Sequence, residues 1–190
     1  MSKAQPPKVP SSMPPTEERT IRLVGPIDED MYLRFSEELS ALEADYSLQP
    51  VHIELNSPGG EAASGMAIAD RLRCSSVPVH ITVYGNASSA ATVILAAGDY
   101  RSMSPSSFFM VHNSTASFKR LDCDGLRARA DQMEREEQQW ADLLAELSDT
   151  PSEVWRKLSK AETHLDARQC LQLGICDNIL KGKKRANSLR

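Results

Sequence analysis

Three short strand-type runs, at residues 21–24, 51–55 and 79–83, are each followed by a segment of helical length. That alternation restricts the possible folds more than any other feature of the chain. Strands separated by helices pair in parallel, because a parallel partner can be reached only through a long crossover. Asp28 is placed to cap a first helix running to about residue 44, with Tyr32, Phe35, Leu39 and Leu42 on one face. A second helix is expected over 62–73 and a third, very apolar one over 90–97. Two more strands, near 100–103 and 108–111, lead into a long helix over 121–147. Its apolar stripe is Leu126, Ala130, Met133, Trp140, Leu144 and Leu147, and it suits either the helix's own sheet or a neighbouring subunit. Residues 150–153 (Thr-Pro-Ser-Glu) have the form of a capping box with proline at the first helical position. A short helix from 166 to 173 stops at Gly174, and 176–180 is a last strand. The class is α/β, a mostly parallel sheet with covering helices.

At 190 residues the chain has the size of one domain with a real core. Five of its eleven prolines lie in the first 15 residues, so 1–19 is expected to be a disordered segment. Residues 20–180 form the domain. The segment 181–190 is a basic tail carrying Lys181, Lys183, Lys184, Arg185 and Arg190 without an acid. With a formal charge of −4 overall, the body is strongly acidic, which does not suit a nucleic-acid surface. No apolar run approaches the ~20 residues needed to span a bilayer, and no secretory signal core opens the chain. The expected location is cytoplasmic. Cys74, Cys123, Cys170 and Cys176 form no CxxC pair, so no metal or organic cofactor is expected.

Residues 85–98 are mostly small and open the apolar third helix, with Ser88 and Ser89 at its mouth. A serine there sits where N–H groups and the helix dipole favour developing negative charge. Ser89 is thus a candidate nucleophile, although capping the helix is an equally good account of Ser88 and Ser89. Gly59 and Gly60, which close the second strand, offer backbone N–H groups to an oxyanion. A serine nucleophile needs a base. His112 leaves an apolar strand into the polar stretch 113–115 and is preferred; His164 comes second. His52 and His80 alternate with apolar neighbours inside strands and read as structural. For a carboxylate orienting the imidazole, Glu162 and Asp166 both occupy suitable positions, and Asp166 is equally a helix cap.

Residues 23–28 (LVGPID), 55–60 (LNSPGG) with 65–68 (GMAI), 87–89 (ASS) through 96–99 (AAGD), 109–113 (FMVHN) and 171–180 (LQLGICDNIL) occur in an order that resembles the proteolytic subunit of the Clp protease family. The compact phage and prophage members are the most similar. The resemblance covers roughly residues 20–180. It implies the ClpP/crotonase-like fold with a projecting handle helix at 121–147. It also implies Ser89 as nucleophile, His112 as base, Glu162 in the place of the usual aspartate, and Gly60 and Ala90 as the oxyanion hole. Implied partners are peptide and unfolded-protein substrates, further copies in heptameric rings (stacked as a tetradecamer), and an AAA+ Clp ATPase unfoldase; neither membrane nor nucleic acid is implied. The chain departs from the family at Ala161-Glu162, where an Arg-Asp pair is usual, and in the polar stretch 113–119, where glycines are usual. The implied activity is serine endopeptidase. The alternatives are a weakly active paralogue that modulates another proteolytic subunit, and an acyl-CoA enzyme of the related crotonase type.

Overall fold

The computed structural model describes residues 19–45 and 48–182. The expectations for 1–18 and 183–190 lie outside them. Arg19, expected in the disordered segment, is instead buried: it pairs with Asp45 and donates to the carbonyls of Leu42 (3.2 Å) and Gln49 (3.0 Å).

β1 (Thr20–Val24), β2 (Val51–Ser57), β3 (Val79–Ser88) and β4 (Tyr100–Met103) are parallel neighbours, and the short β7 (Asn178–Ile179) extends the row. The crossovers are α1 (Glu29–Glu43), α2 (Ala62–Arg73) and α3 (Ala91–Ala96). Asp28 caps α1 as expected, its carboxylate accepting from the Met31 N–H at 2.9 Å. All six residues of α3 are buried, as an all-round apolar helix requires. The core lies between α1–α3 and one face of the sheet, around Phe35, Leu23, Leu55, Ile81 and Ile94, all essentially inaccessible. Each such side chain contributes about 1.5–3 kcal/mol relative to exposure.

β3 is longer than its sequence pattern suggests, because it changes partner midway. Residues 80–83 pair with β4, whereas 86–88 pair with β5 (Phe108–Val111). The change is made at an irregularity between β2 and β3, with Gly85 at φ +102° and the Asn56 side chain accepting from the Asn86 N–H. An added Cβ on Gly85 would meet that Asn56 side chain at 2.5 Å, so the bend needs glycine.

A strand not expected from the sequence, β6 (Thr163–Asp166), follows Glu162 and runs antiparallel to β5. α6 (Ala167–Gln172) follows, with a capping box between Asp166 and Gln169 and with Gly174 at φ +70° just beyond it. The capping box expected at 150–153 is not formed. α5 (Ser152–Lys160) starts one residue later than expected, with Pro151 at the cap and no side-chain bond there. The Thr150 hydroxyl instead donates to the Leu173 carbonyl, so the same residue ties two chain segments together.

The long helix α4 (Cys123–Glu146) projects. It buries only Ala141, Leu143 and Leu144 near its end, while Leu126 and Ala130 are exposed and Met133 is half-buried. Its apolar stripe is therefore split, the second half on the domain and the first half uncovered in the single chain.

Candidate active site

Ser89 follows the last rung of the β3–β5 ladder, Ser88 opposite Met110, and its N–H donates to the Met110 carbonyl at 2.8 Å. Two residues further along β5's direction comes His112. Parallel pairing thus brings two residues 23 apart in sequence together: His112 Nε2 lies 2.9 Å from Ser89 Oγ, the distance a proton transfer requires.

Ser89 has φ +52°, in the left-handed region that non-glycine residues seldom occupy. Such strain costs of order 1–3 kcal/mol and persists only where surroundings impose it. Here the impositions are identifiable. The Ser89 N–H is held by Met110, its carbonyl accepts from the Thr92 hydroxyl at 2.6 Å, and the Trp140 indole N–H donates to that hydroxyl at 3.1 Å. Thr92 is fully buried. The turn resembles a nucleophile elbow in its geometry without the glycine-flanked serine motif, the glycine positions being Ala87 and Ala91.

The Pro-Gly-Gly turn packs directly on this elbow. A Cβ at Gly59, which has φ +93°, would lie 2.6 Å from both the Ser88 carbonyl oxygen and Ser89 Cβ. At Gly65, on α2, it would meet Ala90 at 2.9 Å. Gly60 bridges Ile27, held by bonds from the Ile27 N–H to the Gly59 carbonyl and from the Glu61 N–H to the Ile27 carbonyl. The Gly60 and Ala90 N–H groups take no part in these bonds.

The remaining expected residues separate. Glu162 is exposed, with φ +48°, and makes no hydrogen bond to His112. Asp166 caps α6. His164 is exposed on β6, opposite Met110. His52 and His80 form an edge-to-face pair at 5.2 Å, far along the strands, and Tyr100 is 5.6 Å beyond His80. Burial lowers both imidazole pKa values below the usual range, and both residues sit within β2 and β3 away from the Ser89 turn. Among the described residues no cluster of three or more His, Cys, Asp or Glu could hold a metal, and no helix is long and apolar enough to cross a membrane. Sequence reasoning missed Thr92 and the Trp140 bond to it, since a buried threonine and an indole on a stripe carry no local sign of their partners.

The family model for Clp protease matches residues 12–183. The chain belongs to the Clp protease family. It is similar to the ATP-dependent Clp protease proteolytic subunit 2 of Treponema denticola, 27% identical over 168 residues, which cover 87% of this chain and 84% of that one. It is also similar to the ATP-dependent Clp protease proteolytic subunit of Ligilactobacillus salivarius, 27% identical over 171 residues, covering 89% and 86%. Among solved structures, an asparagine-to-aspartate mutant of ClpP1 from Listeria monocytogenes superimposes with a TM-score of 0.79 at 23% identity, over 87% of this chain and 93% of that one. The fold is thus that of the Clp proteolytic subunits, and the family's activity is proteolysis.

Proposed function

We propose that this Clp-family chain is a serine endopeptidase in which Ser89 is the nucleophile and His112 the general base. The observation that carries the reading is the 2.9 Å approach of His112 Nε2 to a serine held at positive φ. On attack, the Ser89 Oγ proton passes to His112, and the peptide carbonyl oxygen becomes an oxyanion facing the Gly60 and Ala90 N–H groups. His112 then protonates the departing amine, and a water activated by the same imidazole releases the acyl group from Ser89. Glu162 takes the third place by resemblance, as a weak partner of His112 that makes no hydrogen bond to it in the single chain. The two relatives are named as ATP-dependent, which supports work alongside an ATP-driven partner; that this partner is an AAA+ Clp unfoldase and the place of work the cytoplasm is part of the same proposal. The uncovered first half of α4 supports assembly with further copies in heptameric rings that stack as a tetradecamer. The lack of a hydrogen bond between Glu162 and His112 favours a weakly active subunit modulating another proteolytic subunit as the second reading.

A fluorophosphonate probe tests the assignment. Wild type is expected to be labelled on Ser89, and Ser89→Ala to lose labelling and peptide hydrolysis while keeping its fold. Labelling that survives in Ser89→Ala rejects the nucleophile. A wild type that assembles with another proteolytic subunit but resists the probe supports the second reading.

A further inference from the structure

The concavity beside Ser89 is closed by α4 and α5, encloses about 610 Å³ of solvent-open space, and has Ser89 and His112 in its lining. Val111 and Trp140 line it with apolar surface, and Glu136 and Glu137 bring carboxylates to it. Trp140 is tied to the nucleophile's turn through Thr92. Glu136 and Glu137 precede Trp140 by four and three residues, so they share its face of α4, about one 5.4 Å turn further along. A substrate side chain leaving the scissile bond along the indole therefore meets carboxylates after about one helical turn of reach. Lysine and arginine fit that description, with an apolar stem for Trp140 and a cationic head for the acids.

The two carboxylates differ. Glu136 already accepts from the Gln132 side chain at 2.8 Å. Glu137 is half-buried and has no hydrogen bond or ion pair among the described residues. Arg156 also lines the cavity, and its guanidinium donates to the Gln138 side chain at 2.9 Å rather than to either glutamate. Two acids against one base leave the lining net negative while His112 is neutral.

We propose that Glu137 makes this pocket select lysine or arginine on the acyl side of the cleaved bond. The inference rests on Ser89 being the nucleophile, and its test separates the two. Active sites are first titrated with the fluorophosphonate probe. Hydrolysis is then measured on peptidyl coumarin amides ending in Lys, Arg, Leu or Glu. The Lys and Arg substrates are expected to exceed Leu by about tenfold in kcat/KM, as a charge-assisted contact to a partly solvated carboxylate provides. Glu137→Gln is expected to lower the Lys:Leu ratio about tenfold, and Glu137→Lys to move the preference toward Glu. A labelled enzyme that handles Leu as well as Lys, or a Lys:Leu ratio unmoved by Glu137→Gln, overturns the inference and leaves the nucleophile standing. If neither variant folds, the wild-type profile alone decides. A wild type that takes no label overturns the hydrolase reading, and the inference with it.

Discussion

His112 and Glu162 each lie one residue past the last rung of the β5–β6 ladder, Val111 opposite Thr163, yet no hydrogen bond joins carboxylate to imidazole. Neutralising an acid that truly holds the tautomer costs about 10⁴ in turnover. Glu162 makes no such contact, so Glu162→Gln is expected to lower kcat by about tenfold or less. His112→Ala should lose several orders of magnitude. Steady-state kinetics on one peptide compares the two, and equal losses would show that Glu162 closes on His112 in the working enzyme.

Gly59→Ala places a methyl group 2.6 Å from the Ser88 carbonyl oxygen and from Ser89 Cβ, at φ +93°. Both neighbours belong to the elbow, so it cannot give way without displacing Ser89. The variant is expected to lose fluorophosphonate labelling and to melt several degrees lower, with a destabilisation of about 1–3 kcal/mol. Labelling at the wild-type rate would show that the elbow tolerates movement.

Thr92→Val keeps the shape of a fully buried side chain and removes the hydroxyl that links the Trp140 N–H to the Ser89 carbonyl. The Trp140 N–H loses its acceptor, while the Ser89 carbonyl keeps the bond from the Thr92 N–H at 2.9 Å, so the cost is about 1–3 kcal/mol. Turnover is expected to fall with the melting temperature, because the bond restrains the backbone of Ser89, the proposed nucleophile. Calorimetry and kcat together check this; a stability loss with unchanged kcat would confine Thr92 to a structural role.

Glu43 joins α1 to α2 through Arg71 and accepts from the Ser76 N–H at 2.9 Å. The guanidinium, aided by the serines, holds its pKa down at about 2 against an ordinary 4.5. A depressed carboxylate stabilises the fold fully above its unfolded pKa, and that contribution is lost as pH falls from about 4.5 toward 2. Glu43→Gln is therefore expected to melt about 2–6 °C below wild type at pH 7. The gap should narrow steadily below pH 4.5 in a thermal-melt series, and a gap constant down to pH 2.5 would contradict the charge argument.

The uncovered half of α4 carries Leu126 and Met133, whereas Leu144 is fully buried and cannot report on assembly. Leu126→Glu with Met133→Glu is expected to reduce the oligomer's mass in light scattering without lowering the melting temperature of the subunit by more than about 2 °C. A wild type that is monomeric at micromolar concentration would remove the ring from the proposal.

What the sequence alone determined here is what neighbouring residues decide. The Asp28 cap, the three strand–helix units and the Gly174 stop rest on local sterics and hydrogen bonds that a few adjacent residues encode. The family's ordered motifs marked Ser89 and His112 for the same reason, each lying in a distinctive short stretch. Tertiary structure alone decided the rest. The Gly85 bend turns β3 from β4 to β5, and only that exchange of partners sets His112 against Ser89. Strand β6 exists because β5 has a free edge to pair with, not because residues 163–166 alternate strongly. Which half of α4 is buried, and that Trp140 reaches Thr92 48 residues earlier, depend on where the helix leaves the domain. Contacts between segments distant in the chain are selected by packing and register across the whole fold, and no window of adjacent residues carries them.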